Sequence, residues 1–281
     1  MAATKDNPVV FYDLVGKNGI SFSLNTYKTR LSLDYKGIPY RVEYLSLPDI
    51  EPKMKELGVP PSSDNHPRYT IPSKTFCMNK WAHANQNSLG RLVIADPSSE
   101  TNGTPTYISD SFKIAIYLDD KYPAPKYPAI FALGTRSLQH LIVTQYFPTI
   151  GVSIGPIFAP LLPRLLDDRS TEYLNRTRGD RTKPLPDDVA AQKWEQVREK
   201  FAAFSKSLQL NDGTKDEGPF IMGNVVSFLD FAVGGMVHWI KSLEGEDSAR
   251  LKDVLEWEGG RWARHWEAMK AIENKSSRVD G

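Results

Sequence analysis

One cysteine, Cys77, stands in a chain of 281 residues. A lone thiol makes no internal disulfide and lacks the companions a structural zinc site needs, so no metal is expected and a reducing compartment fits best. Neither sign of charge is in excess: 35 Lys and Arg against 34 Asp and Glu leave +1. No broad basic surface exists to displace counterions from a phosphate backbone, which argues against a nucleic-acid partner. Residues Met1 to Asn7 hold no apolar core of signal-peptide length, so secretion is not indicated. Long uninterrupted hydrophobic runs are also missing. The most apolar stretch, Leu141 to Leu166, carries Pro148, Pro156, Pro160 and Pro163 with Gln145 and Arg164, which does not suit a uniform membrane-spanning helix. The expectation is a soluble, cytoplasmic protein with no membrane partner.

What is present is the composition of an ordinary globular chain, 40% hydrophobic and 25% charged, which excludes global disorder. The length allows one large or two moderate domains. Pro8 to Tyr12 is β-branched and aromatic and reads as a buried strand. The run from Ser23 to Lys36 sets Leu24, Tyr27, Leu31 and Tyr35 at helical spacing and stops at Gly37. Tyr40 to Leu45 alternates as a second strand, giving a βαβ unit. A Pro-rich connection with a short helix around Lys53 to Leu57 leads to extended chain before Pro72, since proline disfavours the α region at Ile71. Strands at Val93 to Ala95 and Thr106 to Ile108 flank a turn at Asn102-Gly103, and Ser109-Asp110-Ser111 opens a helix that ends before Pro123.

Pro123, Pro125 and Pro128 fix three φ angles within six residues and form a linker. The predicted division is a βαβ–ββα domain over 1–122, the linker over 123–130 and an all-helical domain over 131–281. Helical periodicity appears at Leu133 to Phe147, Val189 to Leu208, Ser227 to Leu243 and Leu251 to Ile272, while Asp167 to Asp188 reads as a long loop or irregular helix ends.

Ser23 ends a loop and begins a helix, where free N–H groups and the positive dipole end favour an anion. A hydroxyl there would favour a bound thiol as thiolate, and the thiolate is the nucleophile. Taken alone, Ser23 reads as a helix cap before anything else. Asn25 and Ser21 are further candidates for the same contact. Asp110 and Ser111 at a second helix start form a cradle for a carboxylate, or again a cap. Tyr146, Phe147, Ile154 and Phe158 could line an apolar pocket or be core. Gly223 to Asp230 carries a capping box, Ser227 with Asp230, whose role is structural.

In their order and spacing, Phe11-Tyr12-Asp13, Ser23-Leu-Asn-Thr-Tyr-Lys28, Tyr35-Lys36-Gly37, Tyr69-Thr-Ile-Pro72 and Ile108-Ser-Asp-Ser-Phe-Lys113 resemble the glutathione transferases. They are most similar to the fungal-specific A class, which is related to bacterial lignin β-etherases. The resemblance covers most of the chain. It implies a thioredoxin-like domain followed by a helical one, glutathione as co-substrate, and a homodimer. It also implies a serine-type transferase in which Ser23, aided by Asn25, steadies the thiolate. Ile71 would pair its backbone with glutathione beside a cis Pro72, and Asp110 and Ser111 would hold the γ-glutamyl group. A hydrophobic, aromatic or phenolic electrophile would dock near Tyr12, Tyr146, Phe147 and Phe158; detoxification and lignin-derived phenolics are both open. The glutathione-dependent reductases of similar fold need a cysteine where Ser23 stands, which argues against that activity. One departure is the polar segment Ser73 to Leu92, holding Cys77, Trp81 and His83, where relatives run almost directly from proline to strand. It reads as a surface loop, a lid over the site or an unspliced intron; it is expected to be dispensable for folding and to obstruct the site if anything, and it keeps a non-catalytic ligand-binding protein of the same fold as the alternative.

Overall fold

The computed structural model describes residues 2–19, 21–59, 93–101, 104–179 and 182–279. Ile71, Pro72 and the 73–92 segment lie outside these residues, as does the expected Asn102-Gly103 turn.

The chain opens with β1 (Val9–Leu14), α1 (Leu24–Lys36) and β2 (Tyr40–Leu45), followed by a 3-10 turn at Leu47–Asp49 and α2 (Ile50–Glu56). Next come β3 (Val93–Thr101), β4 (Thr104–Ser109) and α3 (Ser111–Lys121). The four strands lie in the order β2-β1-β3-β4. β1 and β2 run parallel, with Val9 opposite Tyr40 and Leu14 opposite Leu45, as a connection through a helix requires. The other two pairings are antiparallel, with Phe11 opposite Ile94 and Ile94 opposite Ile108. This is the mixed sheet of a thioredoxin-like domain.

The ends of α1 are chemically written. Ser23 is extended and caps the first turn; Gly37 closes the helix at φ 63°, a conformation glycine takes without Cβ strain. Along α1 only Arg30 and Tyr35 escape burial. One side of the helix meets the sheet and α3, and the other enters the helical part of the chain, so Leu24, Tyr27 and Leu31 share a core cluster with Phe228, Val233 and Trp266. α1 and α3 run side by side in the same direction: Lys36, at the end of α1, pairs with Asp119 near the end of α3 at 2.8 Å, while Asp110 at the start of α3 is the charge that acts on Lys28 near the start of α1.

Residues 122–135 contain no helix or strand, and Ala124–Pro125 is cis. This stretch is nonetheless pinned. The Asp119 carboxylate accepts from the N–H of Ile130 and Phe131, and Lys36 Nζ donates to the Pro128 carbonyl at 2.9 Å.

All regular elements described beyond it are helical. Arg136 to Arg164 is one continuous run that changes type: α4 (Arg136–Leu141), a π segment (Ile142–Tyr146), α5 (Phe147–Phe158) and a 3-10 segment (Ala159–Arg164). The prolines alter the winding without ending it. By length and composition alone the run is apolar enough to cross a membrane. Ile150, Ile154 and Phe158 instead lie in the protein's core. Then follow α6 (Asp168–Arg178), α7 (Asp187–Leu208), α8 (Phe228–Glu244) and α9 (Ala249–Glu273), the last broken at Trp257 to Gly260.

α6 replaces most of the loop expected between Asp167 and Asp188. Asp167 caps it, accepting from Ser170 N at 2.7 Å and from Ser46 Oγ of the first domain at 2.9 Å. Its sequence is so polar that only Ser170 and Leu174 are buried, and the apolar period is correspondingly faint. At the start of α8 the expected capping box is formed: Asp230 Oδ2 accepts from both Ser227 N and Ser227 Oγ at 2.7 Å. Gly235 of α8 then lets the helix touch the first turn of α1, since a Cβ there would lie 2.5 Å from the Leu24 carbonyl oxygen.

Candidate functional site

The loop from β1 to α1 is organised by Asp13, whose side chain is fully buried. Its carboxylate accepts from Leu14 N, from Ser21 Oγ at 2.9 Å, and from the Arg30 guanidinium one turn into α1 and beyond. Arg30 is held charged by this partner, although burial opposes it. Ser21 therefore spends its proton on Asp13. The same loop is gripped from the helical domain: Leu165 O accepts from Lys17 N at 2.7 Å, and His238 Nε2 lies 3.1 Å from Ser21 O. Burial, with Arg30 adding to it, pushes the His238 imidazole down to about 3, so at neutral pH the ring is uncharged and its Nε2–H donates to that carbonyl. The imidazole stacks on Tyr27 at 4.0 Å with 5° between planes. Sequence reading missed Arg30 and His238, because both act through partners that the fold alone brings near.

Ser23 follows this braced loop and is 8% exposed. Its Oγ accepts from Asn25 N at 3.3 Å and Thr26 N at 3.5 Å. An oxygen that accepts twice still carries one proton, which is left to donate at the positive end of α1. Asn25 is also buried, and its Nδ2 has no hydrogen-bond partner.

The second helix start lies beside the first. Asp110 is held at φ 83°, ψ 124°, a strained setting for a residue with a Cβ. Its Oδ1 accepts from Phe112 N at 3.0 Å and Lys113 N at 3.1 Å, so the cap uses one oxygen and leaves Oδ2. Ser111, 7% exposed, presents its hydroxyl and N–H at the first helical position, where no intrahelical partner exists. Ser23 and Asn25 thus stand at the start of α1, and Asp110 and Ser111 at the start of α3, two helices that pack against each other.

Tyr12 follows the strand alternation opposite to Asp13, on the sheet face covered by α2. Burial, with Glu43 and Tyr107 adding to it, pushes its phenol up to about 12. Phe158 is fully buried between Trp194 and Trp239 with Arg250 over its ring, which leaves no face for a ligand. Phe147 and Tyr146 pack on Phe204, and Tyr146 donates to Lys200 O at 2.7 Å. Phe147 and Phe158 belong to the core of the helical domain, and Tyr146, half-buried, packs against it. Half-buried apolar residues do lie beside the β1–α1 loop, at Leu161, Leu162, Pro163 and Leu165. Among the described residues no group of three or more His, Cys, Asp or Glu could hold a metal ion.

Comparison with known proteins bears on the fold and the family. Residues 137–271 match the glutathione S-transferase C-terminal domain family. A glutathione S-transferase-like protein of Aspergillus flavus, ustS, is 26% identical over 279 residues, covering 95% of this chain and 92% of that one. The glutathione S-transferase CsGST63524 of Ceriporiopsis subvermispora, solved in complex with glutathione, is 31% identical with a TM-score of 0.77, covering 95% of this chain and 98% of its own. Glutathione transferase GSTFuA3 of Phanerochaete chrysosporium is 28% identical with a TM-score of 0.76, covering 94% and 97%. A likeness over nearly the full length of both chains, on a mixed sheet followed by helices, makes this chain a member of the glutathione transferase family, similar to its fungal-specific A class.

Proposed function

We propose that the protein is a serine-type glutathione transferase that joins the glutathione sulfur to hydrophobic, aromatic or phenolic electrophiles. The observation that carries this reading is the Ser23 hydroxyl, which accepts two N–H bonds from the first turn of α1 and so keeps its own proton for an anion. In this role Ser23 donates to the sulfur, the helix dipole favours its negative charge, and Asn25 Nδ2 is a second donor within reach of the same helix end. A thiol so placed gives up its proton to solvent more readily, and the thiolate forms a C–S bond to the electrophilic carbon as the bond from that carbon to its leaving group breaks and the group departs with the electron pair. The γ-glutamyl carboxylate rests on Ser111 and the free N–H groups of α3, its ammonium on Asp110 Oδ2. Ile71 and Pro72 complete the peptide contacts on the strength of the sequence resemblance.

Because the expected aromatic residues lie in the core, the electrophile docks instead against Leu161, Leu162, Pro163 and Leu165, next to the loop that carries Ser23. The working unit is a homodimer, for which Leu133, Leu138 and Leu141 supply exposed apolar surface.

The test is Ser23→Ala with glutathione and a chromogenic aryl halide. Turnover falls roughly 10- to 100-fold while glutathione affinity holds, because the lost contact serves the reactive thiolate more than the docked peptide. Wild-type turnover in the variant rejects the serine role. Failure of the wild type to bind glutathione in a calorimetric titration would favour the non-catalytic ligand-binding alternative.

A further inference from the structure

Two contacts from one face of α8 fall on either side of Ser23. Gly235 meets the carbonyl of Leu24, the residue after it. His238, three residues on along the same helix face, places Nε2 3.1 Å from the carbonyl of Ser21, two residues before it. The helical domain therefore touches the backbone on both sides of the hydroxyl that the proposed reaction needs.

The surroundings of His238 fix the chemistry of its contact. Ser21 O can only accept, and Ser242 Oγ, 3.3 Å from the same ring nitrogen, already donates its proton to His238 O at 2.8 Å. Both neighbours of Nε2 are acceptors, so the uncharged ring carries its proton there. The ring is itself held, because it stacks on Tyr27 of α1, whose hydroxyl donates to Glu273 of α9 at 2.8 Å.

Ser21 is where these restraints converge. Its hydroxyl is committed to Asp13 at 2.9 Å, its backbone bridges to Val15, and its carbonyl takes the His238 proton. Phe22, between Ser21 and Ser23, shares a buried cluster with Phe11 and Ile94 of the sheet. The peptide plane between Ser21 and Phe22 is what those anchors leave free to turn, and the His238 hydrogen bond holds it. A turn of that plane would carry Ser23 with it, and a misplacement of about 1 Å at a reacting site can cost about 100-fold in rate.

We propose that His238 is a positioning residue for Ser23: by holding the Ser21 carbonyl from the helical domain, it sets where the serine hydroxyl stands relative to the glutathione sulfur. The assignment rests on the serine-type reading above and adds a residue of α8 to it.

The experiment measures kcat, and KM for glutathione, with a chromogenic aryl halide in the full-length protein. His238→Phe keeps a ring over Tyr27 and has no donor, whereas His238→Gln keeps an N–H donor and has no ring. Ser23→Ala and the Ser23→Ala, His238→Phe double variant complete the set, and the melting temperature of each protein is recorded. His238→Phe should lower kcat roughly 10- to 100-fold with little change in KM, and His238→Gln should restore most of that loss. In the Ser23→Ala background His238→Phe should cost nothing further, because a residue that acts through the serine has nothing left to position. Wild-type kcat in His238→Phe would overturn the proposal. Equal losses in the Phe and Gln variants, or losses in kcat and KM that follow the fall in melting temperature, would make His238 a packing residue and overturn it as well. Should His238→Phe not fold, His238→Leu, smaller and equally without a donor, is read in its place. A full second loss in the double variant, beside an impaired Ser23→Ala protein, sinks the assignment alone. If Ser23→Ala keeps wild-type turnover, the serine reading fails and this assignment with it.

Discussion

Asp34 and His238 titrate in opposite senses, and their opposition can be measured. Asp34 is 4% exposed on α1; its Oδ1 accepts from Ser276 Oγ at 2.9 Å and Ser277 N at 3.0 Å, while Oδ2 is buried without a partner. Burial raises its pKa from 3.8 to about 6, with those hydrogen bonds pulling the other way. A native pKa above the unfolded one means the folded state binds the proton more tightly. Asp34 therefore favours folding below about 3.8, and that contribution is lost as pH rises through about 6. His238 has the reverse sign: its pKa falls from 6.5 to about 3, so its contribution is present above 6.5 and lost as pH falls toward 3. Between pH 6 and 4 each group changes stability by about 1.4 kcal/mol per pH unit, in opposite directions, and together they nearly cancel.

Asp34→Asn removes one of the two. Asparagine keeps an oxygen for Ser276 and Ser277 and places no charge in the unpaired position. The difference between variant and wild type should then change by about 3 kcal/mol between pH 7.5 and pH 4, the variant gaining most at pH 7.5. Urea unfolding at several pH values reads this directly from the midpoints. A difference that is flat across the range, or that grows toward acid, would refute the account of Asp34 as a carboxylate ionised against its burial.

Two further outcomes are expected. Ser111→Ala should weaken glutathione by about 1.5 to 3 kcal/mol in a calorimetric titration, as loss of a hydrogen bond to a carboxylate, with little change in thermal stability because Asp110 and not Ser111 caps α3. Sedimentation equilibrium should return twice the chain mass, and a Leu138→Glu, Leu141→Glu double variant should return a monomer; a wild-type monomer would reject the dimer.

Much of the fold could be read where single residues carry the instruction. Ser23 and Gly37 bound α1, and alternation alone delimits β2, because caps and strand period are local properties. α6 escaped notice because a polar helix tied down by Asp167, Ser46 and Ser170 leaves little apolar pattern. The site divides the same way. Ser23, Asp110 and Ser111 announce themselves as helix starts. Tyr12 and Asp13 are neighbours in the sequence, and which of the two faces α1 depends on where Arg30 and Ser21 come to rest. Phe158 and Tyr146 were ambiguous for the reason any aromatic on a helix is: core and pocket ask for the same residue type.

The Gly235 contact with the Leu24 carbonyl bears on how such a protein can move. Leu24 directly follows Ser23, so the residue that would meet the sulfur is welded, through one backbone-to-backbone touch, to a helix of the other domain. A clamshell motion about the 122–135 stretch would have to tear α1 from α8 and empty the cluster that holds Tyr27, Leu31 and Trp266. The two halves therefore travel as one rigid body. Among the described residues, that leaves the passage of substrate and product to side chains at the site and not to a hinge at 122–135.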